Sequence, residues 1–284
     1  MRLEFPQPPI AFTIVLVVET SRSMVHLITV ATCSLNQWAL DYDGNKERII
    51  QSIREAKKAQ ASLRVGPELG RTSFPIVTAS LQSQEHLLMY VLSEVTGYGC
   101  LDHFLEGEVY TTSWEVLRDI IDHEDCQDIL LDIGMPVAHN SVFYNCRVIC
   151  RNRKILLIRP KMSLANDGNF REMRYFTPWM RVRGYDDHML PPSMSSITGQ
   201  RSVRFGDMNI QALDTILGVE SCEELFTADA PHIRQGLAGV EIFTNSSGSH
   251  HQLRKLQLRI ELIREGTRKS GGVYLYANQQ YVLS

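Results

Sequence analysis

Leu217-Gly218-Val219-Glu220-Ser221-Cys222-Glu223-Glu224-Leu225-Phe226-Thr227 decides the fold. The apolar run that begins near Ile216 reads as a strand, so Cys222 falls where that strand gives way to a turn and a short helical stretch. A thiol on such a turn is held clear of the sheet, and the amides that follow it can face a developing oxyanion. Taken alone, the same residue reads as a buried core cysteine. Two upstream strand ends bear on the choice. Glu68 lies in Gly66-Pro67-Glu68-Leu69, just after the strand Leu63-Arg64-Val65, and Lys161 follows the strand Lys154 to Ile158. Chemistry in α/β sheets gathers at the carboxyl ends of strands. Each of these two charges, by itself, reads as solvated.

A chain of 284 residues with 44% hydrophobic residues buries one substantial core, and a single α/β domain suffices. The net charge of -3 gives no electrostatic case for nucleic acid, so partners should be small molecules or protein. The six cysteines, Cys33, Cys100, Cys126, Cys146, Cys150 and Cys222, form no disulfide framework; a reduced, cytoplasmic setting suits them and suits a nucleophilic thiol. Cys146 and Cys150 could share one strand face, but no second pair completes a zinc site. Near the start, the apolar run Ile10 to Val18 is too short to span a bilayer, and no membrane association is expected.

In chain order, Leu27 to Cys33 alternates as a strand, and Ile49, Ile50, Ile53 and Ala56 follow at helical spacing. Thr112-Ser113-Trp114-Glu115 resembles a capping box opening a helix through Ile121. Strands are expected at Ile129 to Ile133, Val142 to Cys150 and Lys154 to Ile158, and Asp122-His123-Glu124-Asp125-Cys126 reads as a polar helix end rather than a metal cluster. Thr177 to Pro192 reads as a long surface excursion. Beyond Cys222, Gly239 to Phe243 is a strand ending at Asn245. His251 to Arg268 is a helix with Leu253, Leu256, Leu258, Ile260 and Ile263 on its apolar side, and Val273 to Ala277 is the last strand. Ser270-Gly271-Gly272-Val273 reads as a helix-ending glycine pair, because Tyr274 and Leu275 stand where a pyrophosphate-binding loop needs Asp and Ser.

Glu68, Lys161 and Cys222, in that order and each at a strand end, resemble the catalytic triad of the nitrilase, or carbon-nitrogen hydrolase, superfamily. Longer stretches narrow the resemblance: Leu35-Asn36-Gln37-Trp38-Ala39-Leu40-Asp41, Gly97-Tyr98-Gly99-Cys100-Leu101-Asp102-His103-Phe104, Leu164 to Glu172, Cys222 to Thr227, and Asn245-Ser246-Ser247-Gly248-Ser249-His250-His251. These are similar to the glutaminase domain of eukaryotic glutamine-dependent NAD synthetases. The resemblance implies an α-β-β-α sandwich, incomplete at the C-terminus, and this organisation: 1–23 as an extension of uncertain standing, 24–279 as the glutaminase domain and 280–284 as a divergent tail. It breaks at 70–93, where the family's words would be contiguous. That segment is read either as a translated intron or as a loop added over the site. It begins two residues after Glu68, and its presence is expected to loosen that carboxylate.

By the same resemblance, Cys222 attacks the side-chain amide of L-glutamine, Glu68 moves the proton, and Lys161 stabilises the oxyanion and lowers the thiol pKa. Glu172 orients the lysine, with Glu223 supporting. Phe170, Ser247 and Arg254 bind substrate, an arginine fork suiting its α-carboxylate. No metal or cofactor is implied for this step; ATP and deamido-NAD would serve a synthetase domain, expected to be absent here, and a homo-oligomer is implied for the full-length relatives. The competing reading is a catalytically silent fragment, with Glu68 displaced and a sheet edge exposed.

Overall fold

The computed structural model describes residues 11–21, 24–68, 92–167, 170–249 and 254–279. Strands β1 (Ala11–Ser21) and β2 (Met24–Ser34) pair antiparallel, which places the early apolar run at the edge of a sheet. Helix α1 (Tyr42–Lys58) follows. The Asp41 carboxylate accepts from Gly44 N at its start, and Lys57 and Lys58 lie in its last turn, where the helix dipole favours cations. Then come β3 (Leu63–Val65), the two-residue strands β4 (Leu92–Ser93) and β5 (Gly97–Tyr98), α2 (Gly107–Asp122), β6 (Leu130–His139), β7 (Val142–Arg151) and β8 (Lys154–Pro160). Asn140 and Ser141, like Asn152 and Arg153, all have positive φ, the geometry that lets a two-residue turn match the twist of its strands.

The chain continues through β9 (Tyr185–Met189), α3 (Pro192–Thr198), β10 (Ser202–Gly206), β11 (Ile210–Gln211), β12 (Ile216–Ser221), α4 (Pro231–Leu237), β13 (Ile242–Ser247), α5 (Lys255–Ser270) and β14 (Val273–Asn278). An eight-stranded sheet runs β1-β2-β3-β6-β7-β8-β10-β9, and a four-stranded sheet runs β11-β12-β13-β14. The two sheets pack face to face: Val30, Val65, Ile149 and Leu157 of the first meet Leu217, Val219, Ile242 and Leu275 of the second. On the outer face of the first sheet, Ile49 and Ile53 of α1 and Leu117 and Ile120 of α2 cover Leu131, Ile133 and Met135. Outside the second sheet, Leu262 and Ile263 of α5 pack on Phe243 and Tyr274. The layers are therefore α-β-β-α, as the resemblance implied.

Three local expectations need correction. α2 begins at Gly107, so Thr112 to Glu115 lies inside the helix, where Ser113 Oγ donates to Val109 O rather than capping. The excursion from Thr177 contains β9, which pairs antiparallel with β10 at the edge of the first sheet. On α5, Leu256, Leu258 and Ile260 are 61%, 48% and 41% exposed. Residues two apart cannot share one helix face, so that spacing never described a single apolar stripe. Gly271 and Gly272, with φ of 72° and 68°, do end α5 and turn the chain into β14. Residues 69–91, His250, His251, Leu253 and 280–284 lie outside the described residues.

Candidate active site

Five buried residues of β12, Leu217 to Ser221, deliver Cys222 to the end of the strand, where the chain enters a single 3₁₀ turn, Cys222–Phe226. Cys222 has φ +36°, a region that strains any residue with a Cβ. Two bonds hold it there. Cys222 N donates to Asn245 Oδ1 at 3.2 Å, and Ser221 N donates to Glu224 Oε2 at 2.6 Å.

Lys161 follows β8 directly and is buried with its ammonium between two carboxylates, 2.9 Å from Glu68 Oε1 and 2.7 Å from Glu172 Oε2. Asn145 of β7 ties the same pair together, its Nδ2 donating to Glu68 Oε1 at 3.1 Å and to Glu172 Oε1 at 2.9 Å. Ala165 N donates to Glu172 Oε2 at 2.6 Å, so both Glu172 oxygens are engaged. The second oxygen of Glu68, Oε2, is buried with no hydrogen-bond partner among the described residues. Ser247 of β13 joins this cluster to the thiol: its carbonyl accepts from Glu68 N at 3.3 Å, and its hydroxyl donates to Cys222 Sγ at 3.1 Å. Tyr276 OH donates in turn to Ser247 Oγ at 2.7 Å.

Charge explains the protonation of the cluster. Burial pushes the Glu68 carboxyl up to about 8; Lys161 pulls it down and Glu172 pushes it up again. Burial works against the Lys161 ammonium, but Glu172 and Glu68 outweigh it and hold its pKa well above normal. The Cys222 thiol is raised too, first by burial and then by Glu68, despite the pull of Lys161. Lys161 thus does lower the thiol pKa, as expected, but burial and Glu68 outweigh it and the net shift is upward. Two carboxylates already surround one ammonium, so a thiolate would add a further buried negative charge.

The remaining sequence candidates divide. Phe170 and Phe226 lie beside Lys255, whose Nζ is 5.6 Å from the centroid of the first ring and 6.0 Å from that of the second, and Glu223 acts on it through its charge. Burial lowers the Lys255 pKa, while the charges of Cys222, Glu223 and Asp167 support it, which brings this lysine into the field of the site. Arg254, by contrast, is exposed at the N-cap of α5 with φ +69°, and no ion pair joins it to the cluster among the described residues. Sequence reasoning passed over Asn145 and Lys255, and quoted Asn245 and Ser249 only within a longer stretch, without a role of their own. The alternation Asn245, Ser247, Ser249 was a readable signal, since period two sets polar groups on one side of a strand. Ser249 Oγ is buried without a hydrogen-bond partner among the described residues. No group of three His, Cys, Asp or Glu among those residues could hold a metal ion.

A family model described as carbon-nitrogen hydrolase matches residues 29–282. The chain belongs to the carbon-nitrogen hydrolase family. This hydrolase domain is 55% identical over 257 residues to a glutamine-dependent NAD(+) synthetase of Saccharomyces cerevisiae, covering 90% of this chain and 33% of that protein. It is 49% identical over 253 residues to the one of Homo sapiens, covering 89% of this chain and 32% of that protein. The chain thus spans about a third of the length of the curated relatives it matches. Among solved structures, a glutamine-dependent NAD(+) synthetase from Cytophaga hutchinsonii superposes with TM-score 0.68 at 27% identity, over 87% of this chain and 35% of that one. An amidase from Nesterenkonia sp. superposes with TM-score 0.60 at 13% identity, over 87% of this chain and 73% of that one, and shares the fold.

Proposed function

We propose that this carbon-nitrogen hydrolase domain cleaves the side-chain amide of L-glutamine, releasing ammonia and glutamate through a thioester on Cys222. The observation that carries the reading is the buried cluster in which Lys161 stands between Glu68 and Glu172 while Ser247 links Glu68 to the thiol. Glu68 Oε2, its unpartnered oxygen, receives the thiol proton as Sγ attacks the carboxamide carbon. Lys161 Nζ and the main chain after Cys222 stabilise the tetrahedral oxyanion. The C–N bond then breaks, Glu68 returns the proton to the departing ammonia, and the thioester forms. Water attacks this ester with Glu68 again taking a proton; glutamate leaves, and the proton restores the thiol. Because the resting thiol is held neutral, proton transfer accompanies attack rather than preceding it.

Charge also supports a seat for the amino-acid end of the substrate. Lys255, set against Phe170 and Phe226, faces an α-carboxylate, while Glu223 and Asp167 in the same field suit an α-ammonium. Lys255 takes the role the sequence reading gave to Arg254. In the longer NAD(+) synthetases the ammonia would supply the synthetase reaction. ATP and deamido-NAD belong, on this reading, to the part of those relatives beyond the matched span. Incubating the purified chain with L-glutamine and measuring ammonia and glutamate tests the proposal. Equimolar release, abolished in Cys222→Ala, is expected; undiminished release from Cys222→Ala would place the chemistry elsewhere.

A further inference from the structure

Beneath the turn that carries Glu68 lies a fully buried quartet of charges that the reaction itself does not use. Arg147 of β7 sends Nη1 to Pro67 O at 2.8 Å and Nη2 to Gly66 O at 3.1 Å, so its guanidinium holds the two carbonyls immediately before Glu68. Its Nε donates to Asp132 Oδ1 at 2.7 Å, and Nη2 also donates to Asp132 O at 2.9 Å. Asp132 Oδ2 accepts from Thr244 Oγ1 of the second sheet at 2.9 Å. Beside this pair, Glu94 accepts from Gly134 N at 3.1 Å and is paired with Arg64 at 2.6 Å, while Arg147 Nη2 lies 3.9 Å from Glu94 Oε2. A Cβ on Gly66 would run into the Glu94 carboxylate and the Arg64 guanidinium, so only glycine lets the turn settle this close to the charges.

Buried ion pairs seldom stabilise a fold more than apolar residues of the same shape would, so the placement of this quartet calls for another reason. The turn before Glu68 is pinned at four backbone points: Gly66 N to Asp132 O, the carbonyls of Gly66 and Pro67 to Arg147, and Glu68 N to Ser247 O. None of the four involves residues 70–93. Glu94, the first residue after that segment, is itself a member of the quartet, held by Arg64 and Gly134 N. The segment therefore leaves and re-enters the fold at two points held by one set of charges.

We propose that Arg147 is a positioning residue for the hydrolysis: by gripping the carbonyls of Gly66 and Pro67 it sets where Glu68 meets Lys161 and Cys222, whatever length of chain follows Glu68. The proposal rests on Glu68 as the proton carrier. It also reverses the expectation that residues 70–93 loosen that carboxylate.

The test pairs a charge-neutral variant with a deletion. Arg147→Met combined with Asp132→Asn removes both charges together, leaving no lone buried ion, and its cooperative melting verifies the fold. In this variant kcat for glutamine is expected to fall at least about a hundredfold, the scale of an ångström-sized misplacement, with KM within about threefold. The acid limb of its pH–rate profile should move to higher pH, since Arg147 no longer favours the Glu68 carboxylate. Arg147→Lys, which keeps the charge, should recover part of kcat. Deleting residues 70–93 should change kcat by less than about threefold. Alkylation of Cys222 by iodoacetamide, followed on its peptide, reads the same geometry without glutamine turnover, and Cys222→Ala is its control. It should slow at least about tenfold in the double variant and stay unchanged in the deletion. A folded double variant with unaltered kcat and alkylation, or a deletion that raises either tenfold, would overturn the clamp. An inert wild-type chain whose alkylation still follows this pattern would overturn only the glutaminase reading.

Discussion

At the scale of single residues, Glu68 and Glu172 are both carboxylates touching one ammonium, yet their surroundings differ. Every oxygen of Glu172 is engaged by Lys161, Asn145 or Ala165, whereas Glu68 keeps Oε2 unbonded and has its carboxyl pushed up to about 8 by burial. The base proposed for Glu68 works only when ionised, so a raised pKa moves the acid limb of activity upward, and turnover should climb as pH rises from 6 through about 8. Glu172→Gln removes a negative charge that raises the Glu68 pKa. The acid limb should then shift to lower pH while kcat drops, because Lys161 loses a partner. A pH–rate profile over pH 5–9 for both proteins checks this, and a limb that moves upward in the variant would contradict the electrostatic picture.

Among elements, the turn after β12 and the end of β8 behave as one piece because Glu224 spans them. Its carboxylate accepts from Ser221 N on one side and from Met162 N at 2.7 Å on the other, and it pairs with the wholly buried Arg159. Removing one partner of a buried pair leaves the other uncompensated, typically at about 3–5 kcal/mol. Glu224→Ala should therefore lower stability by about that amount in denaturant unfolding, with Glu224→Gln milder; a loss below about 1 kcal/mol would mean that Arg159 finds another partner. Glu224 also shows what the sequence left unread. The strand ends bearing Glu68, Lys161 and Cys222 were legible because short apolar runs and chain order marked them. So was the layering, since each helix and strand carried its own period. Partners such as Glu224, Asn145 and Asn245 were not, because what they do depends on contacts between elements far apart in the chain. Lys255 went unread for a local reason: composition does not encode the positive φ of Arg254, which is exposed, while Lys255 beside it is half-buried.

For the molecule as a whole, the candidate site lies where the two sheets meet, and no helix among the described residues is long and apolar enough to cross a membrane. Asp132 and Thr244, separated by 112 residues, join the two sheets, and Gln37 and Gln279, separated by 242, join the segments that follow β2 and β14. Closing such long loops must precede the contacts that reward it, and chains built on distant pairings fold slowly. The time course of renaturation then carries information about the site. In refolding from denaturant, helical signal from α1 and α2 should return early. Cys222 should be alkylated at the unfolded chain's rate until the sheets dock, and turnover should return as that rate gives way to the slower one of the native protein. Turnover regained while Cys222 is still freely labelled would show that one sheet alone can organise the proposed nucleophile. The feature that hides the thiol in the finished protein thus makes it, during folding, a clock for the last step of assembly.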